Sequence, residues 1–166
     1  HPNYVFEADG EVWLTRFEQR DAICLADRSR RVPLADDPVH DGVNQGEHTW
    51  FTVVSGQVVQ VDTRTASVVN RYDLTRMDWD KGRPMGWCRG IHHEADRTLL
   101  AFSRLRPTAL KQNLAWLRKP LGKAPEAAPT RVAAYDLPAG RMLQTWVLED
   151  AGISSIFSVL PAQAPA

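Results

Sequence analysis

The chain has 166 residues, 43% hydrophobic and 24% charged, with 20 basic and 20 acidic side chains that balance to a formal charge of zero. Neutrality argues against nucleic acid as a partner, because phosphate binding needs a basic footprint. No apolar run approaches the roughly 18–20 residues that a membrane-spanning helix needs, so no membrane span is expected.

The first unit covers residues 1–34. It opens on His1 rather than Met, which reads as a processed product or a fragment. Residues 4–6 (YVF) read as an inner strand and 11–17 as a second, with Val12 and Leu14 on one face and Trp13 and Thr15 on the other. Residues 22–27 read as a third strand, the basic 28–31 as a solvated turn, and 32–34 as an outer edge strand, the only kind Pro33 suits.

The second unit, residues 40–74, is the clearest. Residues 49–54 (TWFTVV), 57–62 (QVVQVD) and 68–74 (VVNRYDL) are β-rich runs separated by Ser55-Gly56 and a polar turn, with a short strand entering through Gly42. Together they make an antiparallel meander. Trp50-Phe51-Thr52 answers Trp13-Leu14-Thr15, and Gln60-Val61-Asp62 answers Leu25-Ala26-Asp27. One further common offset carries Val58 through Asp62 onto Val132 through Asp136, Val69 onto Leu143 and Leu74 onto Leu148.

A polar connector at 75–86 leads to a third unit, residues 87–148. Residues 87–91 open it, 92–96 (HHEAD) read as a turn, and 97–103 as its second strand. An insertion at 104–130 follows, with a helix expected over 108–119 and Leu110, Leu114 and Leu117 on one helix face. It carries Arg104, Arg106, Lys111, Arg118, Lys119 and Lys123 against Glu126. The unit resumes through Asp136 and a Pro138-Ala139-Gly140 turn to an outer strand at 142–148. Residues 153–160 (ISSIFSVL) read as the inner strand of a next unit, before a frayed tail.

A four-stranded unit recurring about every 40 residues, with Asp closing its third strand, is the signature of a β-propeller. The expected fold is therefore all-β: about three four-stranded blades plus one strand, with a short helical insertion in the third blade. An ordinary β-sandwich is the alternative. Propellers typically close with about four to eight blades, so completion by a second copy or by a missing N-terminal half is expected. Cys24 and Cys88 lie in different units; their spacing suggests neither a disulfide scaffold nor a zinc site and points to a reducing compartment, the cytoplasm.

Meander topology sets which residues share an end of the channel. The inter-blade connectors and the loops between second and third strands fall on one face, bringing His1 and Asn3, His40 and Asp41, Cys88 and Arg89, and Ser154 and Ser155 to one mouth, with the basic insertion over it. His40, Asp41, Arg89, Ser154 and Ser155 are the candidate ligand-binding residues. His1, Asn3, His40 and Asp41 are the candidate set for a divalent cation, although no spacing demands one. His40-Asp41 also reads as a turn cap, and Arg89 as a structural ion-pair partner. His92-His93 falls on the opposite face. No nucleophile elbow, phosphate loop, His-Glu-x-x-His or Cys-x-x-Cys motif occurs, so no catalytic residue is identified.

The order of His1-Pro2, Cys88-Arg89-Gly90-Ile91, Ser103-Arg104-Leu105-Arg106, Tyr135-Asp136 and Ile156-Phe157 through Leu160-Pro161 resembles the C-terminal half of uncharacterised bacterial β-propeller proteins of the DUF4915 type, sometimes linked to tetratricopeptide repeats. Cys88 and Arg104 depart conservatively from that pattern. The resemblance implies a longer propeller whose N-terminal blades lie outside this chain, and it brings no established reaction.

Three functions are compatible with these features. One is a binding module holding a small anionic or sugar-like ligand at the channel mouth. The second is a metal-dependent hydrolase or lactonase-like propeller, with a divalent cation as cofactor. The third is a protein-interaction platform using the Leu110/Leu114/Leu117 helix.

Overall fold

The structure, a computed structural model, describes residues 2–77, 83–94, 96–105 and 127–162. Its described strands form three four-stranded sheets. The first holds β1 (Pro2–Ala8), β2 (Glu11–Arg16), β3 (Asp21–Cys24) and β4 (Arg31–Pro33). The second holds β5 (Val39–Gln45), β6 (His48–Val53), β7 (Gln57–Asp62) and β8 (Ser67–Asp73). The third holds β9 (Trp87–His93), β10 (Thr98–Ser103), β11 (Arg131–Asp136) and β12 (Arg141–Val147). Each sheet is an antiparallel meander in chain order. Helix among the described residues is confined to 3₁₀ turns at Leu74–Arg76 and Glu149–Ala151, and no described helix is long and apolar enough to cross a membrane.

The turns have local chemical causes. Asp9 and Gly10 join β1 to β2 with φ of 54° and 67°, the left-handed pair that a tight hairpin with the native strand twist requires. The third-to-fourth-strand turn repeats in all three sheets. Asp27 accepts from the Ser29 N–H (2.9 Å), Asp62 from the Arg64 and Thr65 N–H groups (both 2.9 Å), and Asp136 from the Ala139 N–H (3.0 Å). These are side-chain-capped turns, and they are the physical reason for the recurring Asp.

The sheets stand side by side with their inner strands adjacent: β1 lies along β5, and β5 along β9. Two hydrogen bonds join neighbouring sheets, from Asn3 Nδ2 on β1 to the Val39 carbonyl on β5 (2.9 Å) and from Thr52 Oγ1 on β6 to the Arg89 carbonyl on β9 (2.6 Å). One apolar core lies between the first and second sheets, around Phe6, Trp13, Phe51 and Val59. Another lies between the second and third, around Val58, Leu74, Leu100, Phe102 and Tyr135. Successive residues of β7 point to different cores, Val58 to one and Val59 to the other. A sheet buried on both faces needs apolar residues at consecutive positions, which explains the unbroken run TWFTVV. Trp13 is fully buried and its indole N–H donates to the Ala8 carbonyl (2.9 Å), so the ring is covered without leaving a polar atom unsatisfied.

Several expected boundaries move. β3 ends at Cys24; the Leu25 N–H still reaches the Val12 carbonyl (2.8 Å) before Asp27 forms the capped bend. His92 and His93 belong to β9 and pair with Leu99 and Thr98, so the expected turn at residue 92 begins only at Glu94. Residues 153–160 are not a strand among the described residues; a strand needs a hydrogen-bonded neighbour, and the sheets contain none for it. The expected helix over 108–119 and most of the basic insertion lie outside the described residues.

Candidate functional site

Each inner strand is interrupted near its start. The β1–β2 register breaks between Pro2 and Val5, the β5–β6 register between Val39 and Asp41, and the β9–β10 register between Leu100 and Phe102. A bulge sets two residues against one and re-aims a side chain. Here the interruptions hold Asn3 and Tyr4, His40, and Arg89 and Gly90. Buried hydroxyls of the second strands serve the freed backbone. Thr15 Oγ1 accepts from the Tyr4 N–H (2.9 Å), and Thr52 Oγ1 accepts from the Asp41 N–H (3.1 Å) while donating to the Arg89 carbonyl (2.6 Å).

His40 and Asp41 are both half-buried, and burial shifts them in opposite senses. The His40 imidazole is pushed down to about 4, first by burial and then by the positive charge of Arg89. It is therefore neutral at physiological pH, and its Nδ1 is buried with no hydrogen-bond partner among the described residues. Burial pushes the Asp41 carboxyl up to about 6, against the stabilising Gly42 N–H. Burial and then the Asp41 charge raise the Tyr4 hydroxyl. The Tyr4 ring lies over Gly42, where a Cβ would stand 2.6 Å from it, so the close approach of β1 to β5 requires glycine there.

Arg89 is flanked by aromatic faces. Its guanidinium carbon lies 5.8 Å from the centre of the Trp87 ring and 4.9 Å from that of Phe157, both within cation–π range. Phe157 reaches this position because the segment carrying it lies against the third sheet. Ser103 Oγ accepts from the Ile156 N–H (2.9 Å) and donates to its carbonyl (3.0 Å), and Thr130 Oγ1 donates to the Ser154 carbonyl (2.9 Å).

Of the sequence-predicted residues, His40, Asp41 and Arg89 are brought to one part of the inner-strand surface. Ser154 and Ser155 lie on the neighbouring segment, Ser154 exposed and Ser155 half-buried. Asn3 commits its amide N–H to the Val39 carbonyl. His1 lies outside the described residues, as do Arg106, Lys111, Arg118, Lys119, Lys123 and Glu126. Arg104 pairs with Glu149 at 3.2 Å. Cys88 is buried and its thiol is pushed up to about 12 by burial, which makes it inert. Among the described residues no three His, Cys, Asp or Glu side chains are placed to hold a metal ion.

Trp87, Phe157 and Tyr4 were missed as site residues. An aromatic in a β-rich run reads as core, and only the bulges reveal that these rings meet a charged group. A second cluster lies between the second and third sheets, where Trp50 stacks on Tyr72 (5.9 Å between centroids) and meets His93 at 4.5 Å. His93 Nδ1 hydrogen-bonds Thr98 Oγ1 (2.9 Å), and burial lowers its pKa to about 4. Arg131 is buried over the Phe102 ring and donates to the Met85 carbonyl (2.7 Å). Burial pulls its pKa down to about 10. Nothing in the sequence marks it as buried.

No protein-family model matches the chain, and no curated protein matches it. Among solved structures it is similar to the dihydro-heme d1 dehydrogenase NirN in complex with DHE, at 10% identity and a TM-score of 0.49, over 86% of this chain and 27% of that one. It is also similar to the complex of KlAtg21 with the coiled-coil of AgAtg16, at 7% identity and a TM-score of 0.42, over 82% of this chain and 38% of that one. The chain thus spans well under half the length of either, and no property of either protein carries over at that likeness.

Proposed function

We propose that the three sheets are blades of a β-propeller and that the chain is a binding module for a small anionic or sugar-like ligand held beside Arg89. The observation that carries this reading is the guanidinium set between the Trp87 and Phe157 rings at a strand bulge. A planar cation held by two ring faces keeps its in-plane N–H fork directed along its edge, the geometry that recognises carboxylate and phosphate. The same rings offer apolar faces to the C–H side of a sugar. His40 contributes a neutral ring nitrogen and no competing charge. Asp41 is ionised above pH 6 and opposes an anion there; below about 6 it takes a proton and becomes a donor.

Isothermal titration calorimetry with inorganic phosphate and with glucuronate as probes tests this. The wild type is expected to bind at least one of them, more tightly at pH 5.5 than at pH 7.5. Arg89→Ala should weaken binding by about tenfold or more, the scale of losing a charge-assisted hydrogen bond, with an unchanged circular dichroism spectrum. Equal affinity in the variant removes the assignment of Arg89, and a wild type that binds neither probe removes this ligand class.

A further inference from the structure

Each second strand carries a buried hydroxyl at or next to its last residue: Thr15 on β2, Thr52 on β6 and Ser103 on β10. The three are used differently. Thr15 Oγ1 accepts from the Tyr4 N–H (2.9 Å) and donates to the Tyr4 carbonyl (3.3 Å), both on β1 of its own sheet. Ser103 Oγ likewise serves one residue, accepting from the Ile156 N–H and donating to the Ile156 carbonyl. Thr52 Oγ1 divides its bonds between two sheets. It accepts from the Asp41 N–H on β5 (3.1 Å), and its proton goes to the Arg89 carbonyl on β9 at 2.6 Å in preference to the Asp41 carbonyl at 3.4 Å. Thr52 is fully buried, and β-branching stiffens the torsion that aims its hydroxyl. Asn3 holds the same bulge from the other side, through the Val39 carbonyl. The charge of Arg89 reaches across this joint to the His40 ring. The other ionisable groups at the joint are Asp41, Tyr4 on β1 and Cys88 on β9; β6 contributes the neutral Thr52.

We propose that Thr52 is a positioning residue: its hydroxyl fixes the Arg89 backbone against the His40–Asp41 bulge and so assembles the anion site from two sheets. The proposal rests on the reading of Arg89 as the anion-binding cation. A guanidinium binds carboxylate or phosphate best when its fork is preorganised. The Trp87 and Phe157 rings flank the side chain, and Thr52 holds the backbone that carries it. Replacing the hydroxyl by a methyl takes this partner from the Asp41 N–H and the Arg89 carbonyl. A polar group left buried without a partner is costly, so the two strands draw apart or water enters between them. Either change takes the Arg89 charge away from His40.

NMR titration of the histidine rings and calorimetry with inorganic phosphate and glucuronate, both on the full chain, test the proposal. In Thr52→Val the His40 pKa is expected to rise from about 4 toward 6.5, because the burial and the Arg89 charge that lower it both recede. His93 is lowered to about 4 by burial and then by His92, and it should stay where it is; a general loosening of the fold moves both rings. Whichever probe the wild type binds should bind Thr52→Val about tenfold more weakly, the scale of one lost hydrogen bond. Thr52→Ser should restore both the affinity and the His40 titration. If Thr52→Val does not fold, Thr52→Cys carries the same test, since its thiol is a weak donor and acceptor. A His40 that stays put in the folded variant, or that moves together with His93, overturns the proposal. Unchanged affinity in a variant whose His40 has moved also overturns it, and leaves Thr52 a part in the fold alone. A wild type that binds neither probe removes the anion site instead, and the His40 titration still decides whether Thr52 holds Arg89 in place.

Discussion

Asp41 and His40 are neighbours whose protons are held in opposite ways, and this gives the fold a divided response to pH. The Asp41 carboxyl is raised from 3.8 to about 6 in the folded chain. The folded state therefore holds more protons between those values, and the contribution of Asp41 to stability is lost as pH rises through about 6. His40 and His93 are each lowered from 6.5 to about 4. Their contribution is present above 6.5 and is lost as pH falls toward 4. Across pH 4 to 6.5 the two effects oppose each other. Asp41→Asn should leave the histidine effect alone, so that Tm climbs more steeply with pH than in the wild type. Thermal melts at half-unit steps check this, and parallel curves for the two proteins would remove Asp41 from the account. Topology made the proximity of His40, Asp41 and Arg89 legible in the sequence, because connectors converge at one end of a meander. Phe157 and Tyr4 were not legible, since their role depends on bulges that no residue type announces.

At the scale of the elements, the repeated Asp of the third strand was readable because its function is local: the carboxylate bonds N–H groups two or three residues on. The same turn shows where an L side chain is strained. Ala66 and Gly140 occupy equivalent places after Asp62 and Asp136, with φ of 50° and 67°. Gly140 has open space around its absent Cβ, so conformation alone should set the effect of substitution. Gly140→Ala is expected to cost about 1–2 kcal/mol, the left-handed penalty for an L residue, and Ala66 shows that the turn still forms. Urea denaturation checks the value, and an unchanged midpoint would show that the turn relaxes. Strand ends were less legible, because pairing rather than propensity sets them. His92 and His93 remain in β9 since Thr98 and Leu99 are there to pair with them. Residues 153–160 have β-rich composition and no ladder, for want of a neighbour.

For the molecule as a whole, the second sheet is covered on both sides and the outer two on one side each. Val5, Val12 and Leu25 are exposed on the first sheet. Trp146, Val147, Phe157 and Leu160 are exposed at the other end of the series. The isolated chain should therefore bind the dye 8-anilinonaphthalene-1-sulfonate, and Val5→Lys with Phe157→Lys should reduce that fluorescence with little change in Tm. A chain that leaves the dye dark would show that these side chains are not accessible to it. The all-β class and the three meanders were legible because each unit repeats the pattern of the last. The position of the sheets relative to one another was not, because beside the two apolar cores it depends on single contacts at Asn3, Thr52 and Gly42 that follow no sequence period.

Phe157 belongs to two things at once: its ring lies against Arg89, and it is carried by the segment that Ser103 and Thr130 hold on the third sheet. Whatever steadies that segment raises the fraction of time the ring is in place. By thermodynamic reciprocity the converse holds to the same factor: an anion seated on Arg89 in the proposed site would steady residues 153–160 against the third sheet. In the proposed site, anion occupancy and the seating of this segment would thus be two readings of one equilibrium.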